Sequence, residues 1–142
     1  MMALTLAIAQ TIIKTALAKG HEIGLKPLTV AVLDAGGHLI ALERQDGASN
    51  LRPEIAQGKA RGAVSMGIGS RALGDRAEQQ AYFIQSVNAL SAGSLVPVAG
   101  GVLVKEAGKI IGAVGVTGDT SDNDEIVAIA GIEAVGFVAD GG

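Results

Sequence analysis

The chain opens with a helical hydrophobic period. Leu4, Ile8, Ile12 and Ala16 recur every four residues, which predicts an amphipathic helix over about 4–20, with Gly20 as its C-cap. Pro27 restricts the residue before it and starts an extended run, Leu28 to Leu33, with the character of a buried strand. Asp34-Ala35-Gly36-Gly37 is a tight turn, and His38 to Glu43 returns as a second strand, so 28–44 reads as a hairpin. After the polar loop 45–50, Pro53 suits the first turn of a second helix over about 53–66. Gly58 and Gly62 lie inside that helix, a weakness that close packing against another backbone would explain.

A short, soft helix follows at 75–89, after the breaks at Gly67, Gly69 and Gly74. Three strands are expected next, at 95–98, 100–105 and 109–117, the last two joined by the turn Glu106-Ala107-Gly108. Ser121-Asp122-Asn123-Asp124 has the pattern of a helix start, opening a last helix at about 122–138. Strands paired as hairpins rather than βαβ units predict an α+β fold, an antiparallel sheet flanked by helices. No linker divides the chain, so 1–142 is expected to be a single domain.

Composition narrows the function. The 142 residues contain 21 Gly and no Cys or Trp, with only 2% aromatic residues. Without Cys there is no disulfide scaffold, zinc finger, iron–sulfur cluster or Cys nucleophile. Scarce aromatics and a net charge of -3 argue against nucleic-acid partners, which need stacking faces and a basic footprint. Residues 1–13 carry no charge but lack the basic start of a signal peptide. Residues 79–104 are also uncharged, but Gln80, Gln85, Asn88, Pro97 and the Gly100-Gly101 pair interrupt them. A cytoplasmic protein without a membrane partner is therefore expected.

Candidate chemistry centres on charge. Arg44 and Asp46 flank the exit of the second strand, and Arg52, Lys59 and Arg61 follow closely, with Lys59 on nearly the same helix face as Arg52. With the backbone N–H groups at Gly100 and Gly101, these residues could hold a carboxylate, Arg as a bidentate fork and Lys as a point charge. The bland alternative is a solvated charged edge. If the site is catalytic, a desolvated Lys59 would be base or Schiff-base former, and Asp46 would relay a proton or activate water. The acidic run Asp119, Asp122, Asp124 and Glu125 lacks the spacing of a calcium loop and reads as helix capping, so no metal site is assigned.

Four segments, taken together, resemble the GlcG/HbpS-like family, which includes the C-terminal domain of PduO-type proteins. They are Val32-Leu33-Asp34-Ala35-Gly36-Gly37-His38-Leu39, Glu43-Arg44-Gln45-Asp46-Gly47-Ala48, Ile55-Ala56-Gln57-Gly58-Lys59-Ala60, and Ala99-Gly100-Gly101-Val102 with Gly112 to Gly118. Asp124 and Ala128 continue the likeness. It implies a profilin-like α/β/α sandwich, homo-oligomers, and heme or corrinoid-related binding in some members. The chain departs from the family pattern at Gly69-Ser70-Arg71, where a Pro-Thr step is usual, and at Leu103, where proline is usual.

No cofactor follows from the residues themselves, and the resemblance admits heme. The two histidines, His21 at the end of the first helix and His38 past the turn, are the obvious axial candidates, each with a surface residue as the plainer reading. The expectation is a homo-oligomer binding a small anionic metabolite or a tetrapyrrole, in a pocket between the second helix and the strand starting at Gly100-Gly101. A cofactor-free catabolic enzyme acting by hydrolysis or deamination of a small unsaturated acid, and an accessory subunit working through protein contacts, are the alternatives.

Overall fold

The computed structural model describes residues 4–142. In chain order the elements are α1 (Leu6–Glu22), β1 (Thr29–Asp34), β2 (Leu39–Arg44), α2 (Arg52–Met66), α3 (Ser70–Gln79), α4 (Ala81–Leu90), β3 (Gly101–Glu106), β4 (Lys109–Thr117), α5 (Ser121–Ala134) and β5 (Val138–Asp140). The strands form one sheet in the order β2-β1-β4-β3-β5, every neighbour antiparallel. Helices cover both faces, and the fold is α+β as expected.

Strand alternation builds two unlike faces. Val30, Val32, Val102, Val104, Val114 and Val116 point one way and pack on Ala9, Ile12, Ile13 and Ala16 of α1 and on Val127, Ala128 and Ile132 of α5. Leu33, Leu103 and Ala113 point the other way, onto Ala60 and Ala63 of α2. On this second face the register sets Ala31 beside Gly115 and Gly115 beside Gly101, a row of minimal side chains. A Cβ on Gly115 would strike the Ala56 carbonyl, and one on Gly101 the Lys59 carbonyl. The helix backbone therefore rests almost directly on the sheet. Leu103, where the family usually has proline, is buried in the middle of β3.

Several boundaries differ from the sequence reading. Gly20 does not cap α1: it is buried inside the helix against Leu28, and α1 runs on to Glu22. The left-handed residue that ends it is Gly24, with φ +74°. Residues 95–98 are not a strand, because Val96 N–H donates to Gly58 O, Val98 N–H turns back on Val96 O, and Pro97 has no donor. The soft helix expected at 75–89 is two helices, α3 and α4, divided at Gln80. Gly74 lies inside α3 rather than breaking it, where a Cβ would sit 2.8 Å from Pro97 O. The last helix starts from Thr120, whose hydroxyl accepts from Asn123 N–H, and stops at Ala134. The chain then turns to add β5 against β3, so the fifth strand lies at the end of the chain.

Candidate functional site

The charged residues singled out from sequence divide between two places. The first is the α2 seam. Lys59 shares a helix face with Ala56, Ala60 and Ala63, all buried, and its side chain is only 3% exposed. Its Nζ donates to Val116 O at 2.9 Å and to Asp124 Oδ2 at 3.2 Å, and the Asp124 side chain is 1% exposed. Gly100 makes room for the ammonium, since a Cβ there would lie 2.8 Å from Lys59 Nζ. Burial pushes the Lys59 ammonium below the usual lysine range, against the opposing pull of Asp124. Burial likewise pushes the Asp124 carboxyl up, against the pull of Lys59.

The glycines at 100 and 101 were expected to border a ligand cleft beside α2. The structure brings helix and strand into contact there instead. Gly101 N–H donates to Ser70 Oγ at 2.6 Å and the Ser70 hydroxyl donates back to Gly101 O at 3.2 Å, closing the strand entry from the α3 side. Ser70 belongs to the segment that departs from the family's Pro-Thr step. Lys59 is engaged by Asp124, and the expected partner Asp46 lies elsewhere.

The second place is a hollow of about 480 Å³ where the end of α1, the loop before β1 and the exit of β2 meet. Its lining includes His21, Lys26, Arg44, Gln45 and Asp46, with Leu25 and Pro27 as apolar wall. Gln45 fixes the rim, because its side-chain carbonyl accepts from Leu28 N–H at 2.7 Å. Arg44 is exposed and reaches Asn50 at 3.4 Å. A smaller hollow of about 190 Å³ adjoins it, sharing Lys26 and Pro27 and adding Ser49, Arg52 and Gly118. Arg52 is steadied by Thr117 Oγ1 at 2.7 Å and Ser49 Oγ at 3.2 Å. Lys26 lines both hollows, Arg44 the larger and Arg52 the smaller, and one imidazole and the carboxylate of Asp46 line the larger. Arg61 is apart from them, donating from Nε to Gly37 O and lining a third hollow near Ser94. His38 stands at the β1–β2 turn, its Nδ1 3.3 Å from Asp34 Oδ1.

Of the residues singled out from sequence, Arg44 and Asp46 thus line the larger hollow and Arg52 the smaller, whereas Lys26, the place of His21 and the burial of Asp124 were not foreseen. The signal for Asp124 was present. Val127, Ala128, Gly131 and Ile132 follow it at helical spacings of 3, 4, 7 and 8, and all are buried, so Asp124 begins the inward face of α5. No grouping of acidic residues and histidines able to hold a metal ion occurs among the described residues. No helix of those residues is long and apolar enough to cross a membrane.

Comparison with known proteins places this architecture. The family model described as "Haem degrading protein HbpS-like" matches residues 4–133. Protein GlcG of Escherichia coli K12 is 37% identical over 117 residues, covering 78% of this chain and 81% of GlcG. Solved HbpS superposes with a TM-score of 0.81 at 29% identity, covering 96% of this chain and 92% of HbpS. PduOC, solved in complex with heme, superposes with a TM-score of 0.86 over 96% of this chain and 97% of its own, at 24% identity, a likeness of fold.

Proposed function

The chain belongs to the HbpS-like family, and from that premise we propose that it binds an anionic tetrapyrrole, heme in particular, in the hollow beside His21. One observation carries this reading: an exposed imidazole lines a hollow with Lys26 and Arg44, and Arg52 lines a smaller hollow against the same Lys26–Pro27 segment. Lys26, Arg44 and Arg52 suit the paired carboxylates of such a ligand, by charge and, for the two arginines, by bidentate geometry. His21 is the residue that would ligate iron. The wall at Leu25 and Pro27 gives the macrocycle an apolar contact, and a volume of about 480 Å³ falls within the range of cofactor sites. When bound, heme would supply the iron chemistry, and the protein's own part is ligation, orientation and charge.

The hollow is open, and no Phe, Tyr or Trp lines it. A neighbouring copy completing it accounts for that, and Ile23, 41% exposed at the end of α1, offers apolar surface nearby. A cofactor-free enzyme built on Lys59 and Asp46 needs those two groups together. The engagement of Lys59 with Asp124 leaves that reading without support. Titration of the purified protein with hemin, followed at the Soret band, tests the proposal. A saturable spectral change is expected, and a spectrum equal to the sum of free hemin and protein would overturn it.

A further inference from the structure

A chain of hydrogen bonds runs from the buried seam to the rim of the hollow. Lys59 Nζ donates to Asp124 Oδ2 at 3.2 Å. The other oxygen of that carboxylate, Oδ1, accepts from Asp119 N–H at 3.0 Å. Asp119 Oδ1 in turn accepts from Lys26 N–H at 3.0 Å, across 93 residues of sequence. Its second oxygen is also occupied, by Thr120 N–H and by Asn123 Nδ2, each at 2.8 Å. These bonds hold the Asp119 carboxyl well below its usual range, so it stays an acceptor throughout the neutral region.

An independent contact joins the same two segments. Gly118 lies so close to the next rim residue, Pro27, that a Cβ would strike the Pro27 carbonyl. Lys26 and Pro27 are the two residues common to both hollows. The segment between Gly24 and Leu28 has no helix or strand of its own, so its place is set by such ties.

We infer that Asp119, braced at its main chain by Asp124, positions the rim of the hollow through its carboxylate, which makes Asp119 a positioning residue for a ligand that it does not touch. This rests on the hollow being the ligand site.

The test compares hemin affinity and the exchange rate of the Lys26 amide in wild type and variants. Asp119→Ala removes the acceptor, and about tenfold weaker binding with at least about tenfold faster Lys26 exchange is expected. Asp119→Asn keeps an acceptor for Lys26 and should restore most of both. Asp140→Ala breaks the Lys105 pair at the opposite edge of the sheet, and should lower stability without changing either readout. Should Asp119→Ala fail to fold, Asn123→Ala removes one donor only and is expected to lie between Asp119→Ala and wild type. Wild-type affinity in Asp119→Ala, or an unchanged Lys26 amide, would overturn the inference. If wild type itself takes up no hemin, the ligand reading falls, and Lys26 exchange alone decides whether Asp119 holds the rim.

Discussion

The α2 seam and the α1–β2 hollow are both built from residues that looked functional in sequence, and they differ in what fills the space. At the seam, glycine has removed side chains so that backbone can meet backbone, and Lys59 is sealed in with Asp124. At the hollow, long polar side chains stand around space and face water. The contrast teaches that a glycine cluster signals close approach without saying what approaches. Here the helix itself takes the place that a ligand was expected to have.

Variants that separate the two regions test this contrast. The largest effect is expected at the seam. Lys59→Met leaves Asp124 buried without its partner and should cost about 3–5 kcal/mol in denaturant unfolding. Lys59→Met combined with Asp124→Asn removes both charges and keeps an acceptor for Asp119 N–H, so it should be more stable than Lys59→Met alone. A double variant no better than the single would mean that the pair is not the source of the loss. Gly115→Ala comes next, since its Cβ would enter the Ala56 carbonyl; a loss of about 1–3 kcal/mol or more is expected from the same measurement.

Effects at the hollow are smaller and fall on binding. Arg44→Ala should weaken hemin about fivefold, the order of one partly solvated charge contact, and leave the melting temperature near wild type. Arg61→Ala, engaged at Gly37, should leave hemin affinity unchanged, which separates the two arginines. The smallest effect concerns acid stability. The folded carboxyl of Asp119 lies at about 2, below its unfolded value of about 3.9. Its contribution is therefore complete above about pH 5 and is lost progressively as the pH falls through about 2. Asp119→Asn should lack that part of the acid loss, measured as the denaturation midpoint against pH.

Much of the fold was legible in the sequence because its signals are local. Period-four hydrophobics marked α1, the paired glycines marked the β1–β2 turn, and Gly108 marked the β3–β4 hairpin, whose turn is the two residues Ala107-Gly108 because Glu106 still belongs to β3 and pairs with Lys109. What escaped depends on distant partners. Residues 95–98 have strand-forming valines, but their hydrogen bonds go to Gly58 and back on themselves. β5 is a three-residue strand that exists only because β3 offers it an edge. The site divides in the same way. Arg44, Asp46 and Arg52 stood out by charge, whereas Lys26 and His21 reach the hollow through the hairpin's pairing and the course of the loop after α1. Asp124 could have been found from the inward periodicity of α5, had its acidic neighbours not suggested a cap.

The most direct measurement is the Soret spectrum of hemin titrated into His21→Ala beside His38→Ala. His21 lines the hollow, and His38 stands at the β1–β2 turn beside Asp34. Loss of the wild-type spectrum in His21→Ala, with its retention in His38→Ala, is the predicted result. A wild-type spectrum in His21→Ala would contradict His21 as the iron ligand, and one that vanished only in His38→Ala would move the site away from the hollow.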